Sequence, residues 1–125
     1  MKGYMPQQTI IGIVGPCAAG KSTLISGLLE HGISARHIAQ EHSYVQDMWQ
    51  RITHPNTLIF LDVSYVESMR RRPMNWTEAE FLEQYKRLEH AKAHANLYIY
   101  TDLLSPQEVL QKALQFLQNK LNRTE

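Results

Sequence analysis

Residues 15–23 read GPCAAGKST, a spacing that is typical of loops that bind phosphate groups. Gly15 and Gly20 are separated by four residues, and Lys21 and Ser22 follow directly, which fits the pattern G-x-x-x-x-G-K-[ST]. Glycine lets the backbone approach a ligand closely, so that successive N–H groups can surround phosphate oxygens. In such a loop the lysine reaches the β- and γ-phosphates of a nucleoside triphosphate, and the serine hydroxyl coordinates Mg²⁺. The alternative is a tight strand-to-helix turn that contains a lysine by chance.

The flanking residues predict the elements that must position this loop. The apolar run TIIGIVG predicts a buried parallel strand at 9–14, and apolar residues at helical spacing predict a helix at 21–31. Gly32 has the place of a helix C-cap. A helix that begins directly after the loop favours an anion, because its first N–H groups are unpaired and its dipole is positive there. The residues expected to bind the nucleotide are Gly15, Pro16, Cys17, Ala18, Ala19, Gly20, Lys21, Ser22 and Thr23.

The rest of the sequence alternates between strand and helix patterns, which predicts an α/β protein with a parallel sheet. The predicted elements are a short strand at 34–39, a helix from Ser43, a strand at 57–63, a helix at 64–72, one long helix from Thr77, a strand at 96–102 and a last helix from Ser105. Three pairs have the spacing of a capping box: Ser43 and Gln46, Thr77 and Glu80, and Ser105 and Glu108. The loop is then expected at the carboxyl edge of the sheet, where such sheets bind ligands.

Length and composition indicate one globular domain over residues 1–125. A hydrophobic content of 43% and a charged content of 20% are ordinary, and a net charge of +1 gives no sign of nucleic-acid or membrane binding. The single cysteine, Cys17, cannot form an internal disulfide, which fits a reducing compartment. Because the sequence contains no apolar run long enough for a bilayer, we expect a cytoplasmic protein.

Two further groups of residues could act on a bound phosphate. Asp62 ends the predicted strand at 57–63, where a carboxylate can hold Mg²⁺ through water, or where it could simply cap the next helix. Arg70, Arg71 and Arg72 follow eight to ten residues later. Guanidinium groups stabilise the negative charge that phosphoryl transfer spreads over oxygens. The alternative is that these arginines only interact favourably with the dipole at the end of a helix.

Together these motifs resemble the P-loop nucleoside and nucleotide kinase family. The resemblance rests on GPCAAGKST, on LIFLDV with the arginines after it, and on YIYTDLLSPQEVLQKAL near the end. It implies a three-layer α/β/α P-loop NTPase fold with a parallel sheet of four or five strands, helices on both faces and a lid-like segment around 70–80. It also implies ATP and Mg²⁺ as cofactors and transfer of the γ-phosphate to a small-molecule acceptor. The residues expected to take part are Lys21, Arg71 and Arg72 in catalysis and Ser22 and Asp62 at the metal. In this family, however, the strand that corresponds to the one ending in Asp62 lies on the opposite side of the first strand from the usual metal-linked carboxylate.

The chain departs from the family's pattern between Gly32 and Thr57, where no acidic segment for the acceptor and the metal is visible. Glu41 could replace the missing carboxylate and His42 could contact an acceptor, or both could be surface residues. We therefore expect a reduced kinase with an intact nucleotide half and a short acceptor half. The alternatives are a nucleotide-binding or regulatory module without turnover and a slow nucleotide hydrolase.

Overall fold

A four-stranded parallel sheet forms the centre of the chain. The structure is a computed structural model that describes residues 9–73 and 75–124, without the side chains of 121–124. Within these ranges the strands are β1 (Ile11–Val14), β2 (Ala35–His37), β3 (Thr57–Asp62) and β4 (Leu97–Tyr100), in the order β2-β1-β3-β4. All three pairings are parallel. The prediction of an α/β protein with a parallel sheet is confirmed.

The strands are connected by helices, as parallel pairing requires. The helices of the described residues are α1 (Lys21–Glu30), α2 (Met48–Ile52), α3 (Tyr65–Arg71), α4 (Glu78–Lys86), α5 (Glu89–His94) and α6 (Pro106–Thr124), with a 3₁₀ turn at Gln40–His42. Among the described residues no helix is both long and apolar enough to cross a bilayer.

Helices pack on both faces of the sheet, because successive residues of each strand point to opposite sides. On one face Ile59 and Leu61 of β3 pack with Leu28 of α1 and with apolar residues of α6. On the other face Leu58 and Phe60 pack with residues of α2 and α5. All residues of β3 are buried, which explains the uninterrupted apolar run at its centre, residues 58–61. The central strands β1 and β3 are thereby fixed, and so is the loop that follows β1.

Two predicted helix boundaries are wrong. The helix expected from Ser43 begins at Met48, because the Ser43 hydroxyl accepts a hydrogen bond from the Val45 N–H in a local turn. The long helix expected after Thr77 is divided into α4 and α5. At the division the amide of Gln40 donates to the backbone carbonyl of Arg87, at 3.0 Å. That hydrogen bond satisfies a carbonyl oxygen that the end of α4 leaves unpaired. The chain can therefore change direction there, and α5 turns toward the sheet.

The other predicted caps are confirmed. Thr77 and Glu80 exchange side-chain and backbone hydrogen bonds at the start of α4, and Ser105 and Glu108 do the same before α6. Gly32 has φ +77 just after α1, a left-handed conformation that favours glycine. The end of α1 and the beginnings of α4 and α6 are therefore set by local sequence.

Candidate functional site

The loop GPCAAGKST connects β1 to α1 at the carboxyl edge of the sheet. A Cβ atom on Gly15 would lie 2.0 Å from the carbonyl oxygen of Leu61, so only glycine fits where the loop passes β3. Ala18 and Gly20 have φ of 68° and 99°, which are left-handed conformations. Left-handed residues that alternate with other backbone conformations turn successive N–H groups toward a common centre, as in anion-binding loops.

The side chain of Lys21 lies folded back over this loop and is only 6% exposed. Its ammonium group donates hydrogen bonds to the carbonyl oxygens of Gly15 and Pro16, at 2.6 and 3.0 Å, and to a carboxylate oxygen of Glu41, at 2.9 Å. The next two residues, Ser22 and Thr23, are exposed. The loop therefore combines one buried cation with two hydroxyl-bearing side chains that face solvent.

Glu41 provides the carboxylate at this site. It lies in the 3₁₀ turn after β2, and β2 is a direct neighbour of β1. The residue is 2% exposed; Oε2 binds Lys21, whereas Oε1 is buried without a hydrogen-bond partner among the described residues. A buried, unpaired carboxylate oxygen is costly, so this atom is suited to accept a ligand. A carboxylate in contact with the loop lysine, which the exposed Ser22 follows in the sequence, offers the kind of oxygen ligand that Mg²⁺ prefers.

Asp62, the other candidate carboxylate, is saturated by its own surroundings. Its Oδ2 accepts hydrogen bonds from the hydroxyls of Tyr85 and Tyr98, and its Oδ1 accepts one from the Val63 N–H. Burial, and then the hydrogen bond to Asp62, raise the pKa of both tyrosines above their ordinary value. The role of Asp62 at a metal stays a prediction, and Glu41 is the carboxylate that contacts the loop lysine.

Arg71 joins the loop to the end of β4. Its guanidinium donates to the carbonyl of Ala18 at 3.1 Å, and to both the hydroxyl and the carbonyl of Thr101 at 3.0 and 2.6 Å. Its Nε donates to Glu67, which also pairs with Arg70. Hydrogen bonds from Arg70 and then from Arg71 lower the pKa of the Glu67 carboxyl to about 2. Arg71 is thus fixed at the edge of the loop, whereas the Arg70 side chain is 73% exposed.

A cavity of about 560 Å³ opens beside the loop. Its walls come from residues 18–20 of the loop, from Arg70, Arg71 and Arg72 at the end of α3, and from residues 101, 102 and 104–106 between β4 and α6. This volume lies within the range of ligand pockets in proteins. Sequence reasoning missed the contribution of Thr101 and Asp102, although the end of a strand parallel to β1 has to reach this same edge.

Gln84 is a second contributor that sequence reasoning missed. Its side-chain oxygen accepts a hydrogen bond from the Cys17 N–H at 3.0 Å, and its amide donates to the Cys17 sulfur at 3.5 Å. The residue is 3% exposed and shares the buried side of α4 with Phe81. A polar residue at an apolar position of an amphipathic helix was the available signal.

The fold and the site define an α/β protein whose parallel sheet presents a glycine-containing loop, a buried lysine and a cavity at its carboxyl edge. No family model matches the chain, and no curated protein matches it.

Proposed function

We propose that the protein is a small phosphotransferase of the P-loop NTPase fold, which binds Mg²⁺-ATP over residues 15–23 and transfers its γ-phosphate to a small acceptor. The observation that carries this proposal is the buried ammonium of Lys21, held against two loop carbonyls and one carboxylate directly at the start of α1. A lysine in that place is suited to a β- or γ-phosphate, because the helix N-terminus adds further positive potential.

The contacts of the loop support exchange with phosphate. The Glu41 oxygen on Lys21 and the Gln84 oxygen on the Cys17 N–H are both acceptors that meet donors of the loop. Phosphate oxygens are acceptors of the same kind and carry more charge. A triphosphate would replace both protein oxygens, so that no loop donor loses its hydrogen bond when the nucleotide binds.

The cavity beside the loop supports a nucleoside site. It adjoins residues 18–20, so a base and ribose in the cavity would be continuous with phosphates in the loop. Arg71 forms part of the wall with its guanidinium already oriented by Thr101 and Glu67. Planar guanidinium groups stack on aromatic rings, which suits a purine. Within this proposal Arg71 is a positioning residue, and exposed Arg72 is the arginine free to reach transferring phosphate.

Catalysis would come from positioning and electrostatics, since phosphoryl transfer requires little covalent participation by the protein. Mg²⁺, when bound, supplies charge neutralisation at the β- and γ-phosphates. Ser22, through its exposed hydroxyl, and Glu41, through its unpaired oxygen, would hold that ion. Lys21 would keep the phosphates in register, and Arg72 would stabilise charge that develops in the transition state.

One observation favours a second candidate, a nucleotide-binding module without turnover. The segment between β2 and β3, where an acceptor would be expected beside Glu41, contains only a 3₁₀ turn and the five-residue helix α2 among its regular elements. Little protein is available there to enclose an acceptor. The two candidates share the nucleotide site and differ in turnover.

The experiment that tests the proposal is a calorimetric titration of Mg²⁺-ATP into the wild-type chain and three variants. Ser22→Ala changes an exposed residue, and Lys21→Met removes the buried ammonium. Lys86→Ala, whose side chain is 71% exposed, is the matched control. Because the lysine makes charge-assisted hydrogen bonds, its loss should weaken binding at least about 10-fold. Lys86→Ala should bind as the wild type does, and thermal melts establish that each variant is folded.

The result separates the candidates in two steps. Absence of binding, or equal affinity in Lys21→Met and wild type, would refute a phosphate loop. Where ATP binds, ADP release is then followed with and without a panel of small hydroxyl-bearing and phosphorylated acceptors. Release only with an acceptor supports the phosphotransferase, slow release without one supports a hydrolase, and no release with any acceptor supports the module.

A further inference from the structure

Three residues beside the loop have the chemistry of a transition-metal site. One ligand atom each of Cys17, Glu41 and His42 lies within 4.8 Å of the other two. Sulfur, imidazole nitrogen and carboxylate oxygen together are typical of zinc, whereas Mg²⁺ takes oxygen ligands and retains water. The set therefore differs in kind from the Mg²⁺ ligands considered above, although Glu41 belongs to both.

We propose that Cys17, Glu41 and His42 form a three-ligand site for a borderline-soft divalent cation, with Zn²⁺ the best fit. Three protein ligands leave a fourth, tetrahedral position for water. On binding, the Cys17 thiol loses its proton to solvent and the thiolate forms the metal–sulfur bond. The thiolate and the Glu41 carboxylate then balance the charge of the cation, and His42 contributes a neutral nitrogen.

The surroundings of the three side chains favour this site. Glu41 Oε2 lies 3.8 Å from His42 Nε2, and Oε1 is buried without a hydrogen-bond partner among the described residues, so a bidentate metal contact would satisfy it. Cys17 is held through its backbone by Gln84, whose amide also donates to the sulfur and so orients the ligand. Metal–sulfur and metal–nitrogen bonds of about 2.3 and 2.0 Å require the ligands to approach by about an ångström. His42 is 63% exposed and is free to make that movement.

A cation in this site would affect the loop, because Glu41 is also the partner of Lys21 at 2.9 Å. A cation bound to Glu41 occupies the carboxylate that would otherwise hold the Mg²⁺ of Mg²⁺-ATP. The metal and Mg²⁺-ATP should therefore exclude each other, which makes the metal an inhibitor of the nucleotide site. This consequence rests on the proposed function, whereas binding of the metal does not.

The test is a titration of the whole, reduced chain with Co²⁺ as a spectroscopic substitute for Zn²⁺. Cys17 is the only cysteine of the sequence, so thiolate-to-cobalt charge-transfer absorption reports that residue alone. We expect the absorption to saturate at one Co²⁺ per chain and to disappear when Zn²⁺ is added. Cys17→Ser should abolish it. His42→Ala, a change at an exposed side chain, should weaken Co²⁺ binding at least about 10-fold.

The control is His37→Ala, which removes another exposed histidine from the neighbouring strand β2 and should leave Co²⁺ affinity unchanged. No charge-transfer absorption in the wild type, or equal affinity in His42→Ala, would overturn the site. Calorimetry with Mg²⁺-ATP at buffered free Zn²⁺ then tests exclusion: Zn²⁺ should weaken ATP binding in the wild type and much less in His42→Ala. Metal binding without any ATP binding would leave this site standing and refute the proposed function instead.

Discussion

Replacing Glu41 by glutamine should destabilise the protein and yet strengthen its binding of a metal-free polyphosphate. The substitution keeps the shape of the side chain and removes its charge. Lys21 then remains 6% exposed with two carbonyl oxygens and a neutral amide as its partners. The ion pair, with its N–O distance of 2.9 Å, is thereby lost while both side chains stay in place.

The size of the expected loss of stability follows from the burial of the Lys21–Glu41 ion pair. Removing one partner of a buried ion pair typically costs about 3–5 kcal/mol, because the other charge is left uncompensated. Glutamine retains an oxygen that can accept one hydrogen bond from Lys21, so we expect a loss of about 2 kcal/mol in the free energy of unfolding. For a chain of this length that corresponds to a fall of roughly 8 °C in Tm.

The assay is urea and thermal unfolding followed by circular dichroism, with Glu83→Gln as the control. Glu83 pairs with Lys86 at 3.9 Å and its side chain is 53% exposed. An exposed pair contributes little, so the control should change stability by no more than about 0.5 kcal/mol. A Glu41→Gln variant that is no less stable than the control would refute the assigned burial of the pair.

The ligand arm uses tripolyphosphate without Mg²⁺, titrated by calorimetry into the same proteins. In the wild type the polyphosphate has to displace the Glu41 oxygen from Lys21, whereas in Glu41→Gln it meets an uncompensated cation. Affinity should therefore rise in the variant, and it should be unchanged in Glu83→Gln. Weaker binding to Glu41→Gln would mean that Glu41 and the phosphate do not share Lys21, even if the loss of stability is found.

Two further expectations concern α3. Arg71→Lys removes the guanidinium group that donates hydrogen bonds to Ala18 and Thr101, and it should lower the free energy of unfolding, measured in urea, by about 2 kcal/mol. Arg70→Lys, a change at a more exposed side chain, should lower it far less. Equal losses in the two variants would contradict this expectation. The pKa of Glu67 falls from 4.5 to about 2 on folding, so the folded state binds fewer protons and stability decreases as pH drops through that window. Glu67→Gln should flatten this decrease, and an unchanged pH profile would refute the assignment.

The fold was largely predictable from local patterns. β1, β3 and β4 correspond to short, mainly apolar runs, and the caps at Thr77 and Ser105 depend on residues only three positions apart. The division between α4 and α5 was not predictable, because it depends on Gln40, which lies 47 residues from Arg87 in the sequence. The start of α2 depends on Gln40 as well, through its contact with the Trp49 N–H. Long-range side-chain contacts of this kind leave no local pattern.

The site was predictable in part for the same reason. The loop residues of the candidate site are contiguous, so their spacing alone predicts a phosphate loop, whereas the partners of the loop come from three other elements. Asp62 and Glu41 were both open as the metal carboxylate, and the contact of Glu41 with Lys21 depends on β2 lying beside β1 in the sheet. Arg71 was expected to act on phosphate, but Thr101, 30 residues away, supplies acceptors for its guanidinium. The residue types can be read from the sequence, whereas the contacts between them depend on the order of the strands in the sheet.

If residues 15–23 bind phosphate as proposed, the internal contacts of the loop affect which phosphate compounds bind. Lys21 and the Cys17 N–H already have oxygen partners, so a single phosphate that replaces one of them exchanges one hydrogen bond for another and gains little. A triphosphate can replace both partners and reach the first N–H groups of α1 in one binding event, and its additional contacts are made without a further loss of translational freedom. Under the proposed function, the internal partners of Lys21 and of the Cys17 N–H would therefore favour ligands with several linked phosphates over inorganic phosphate.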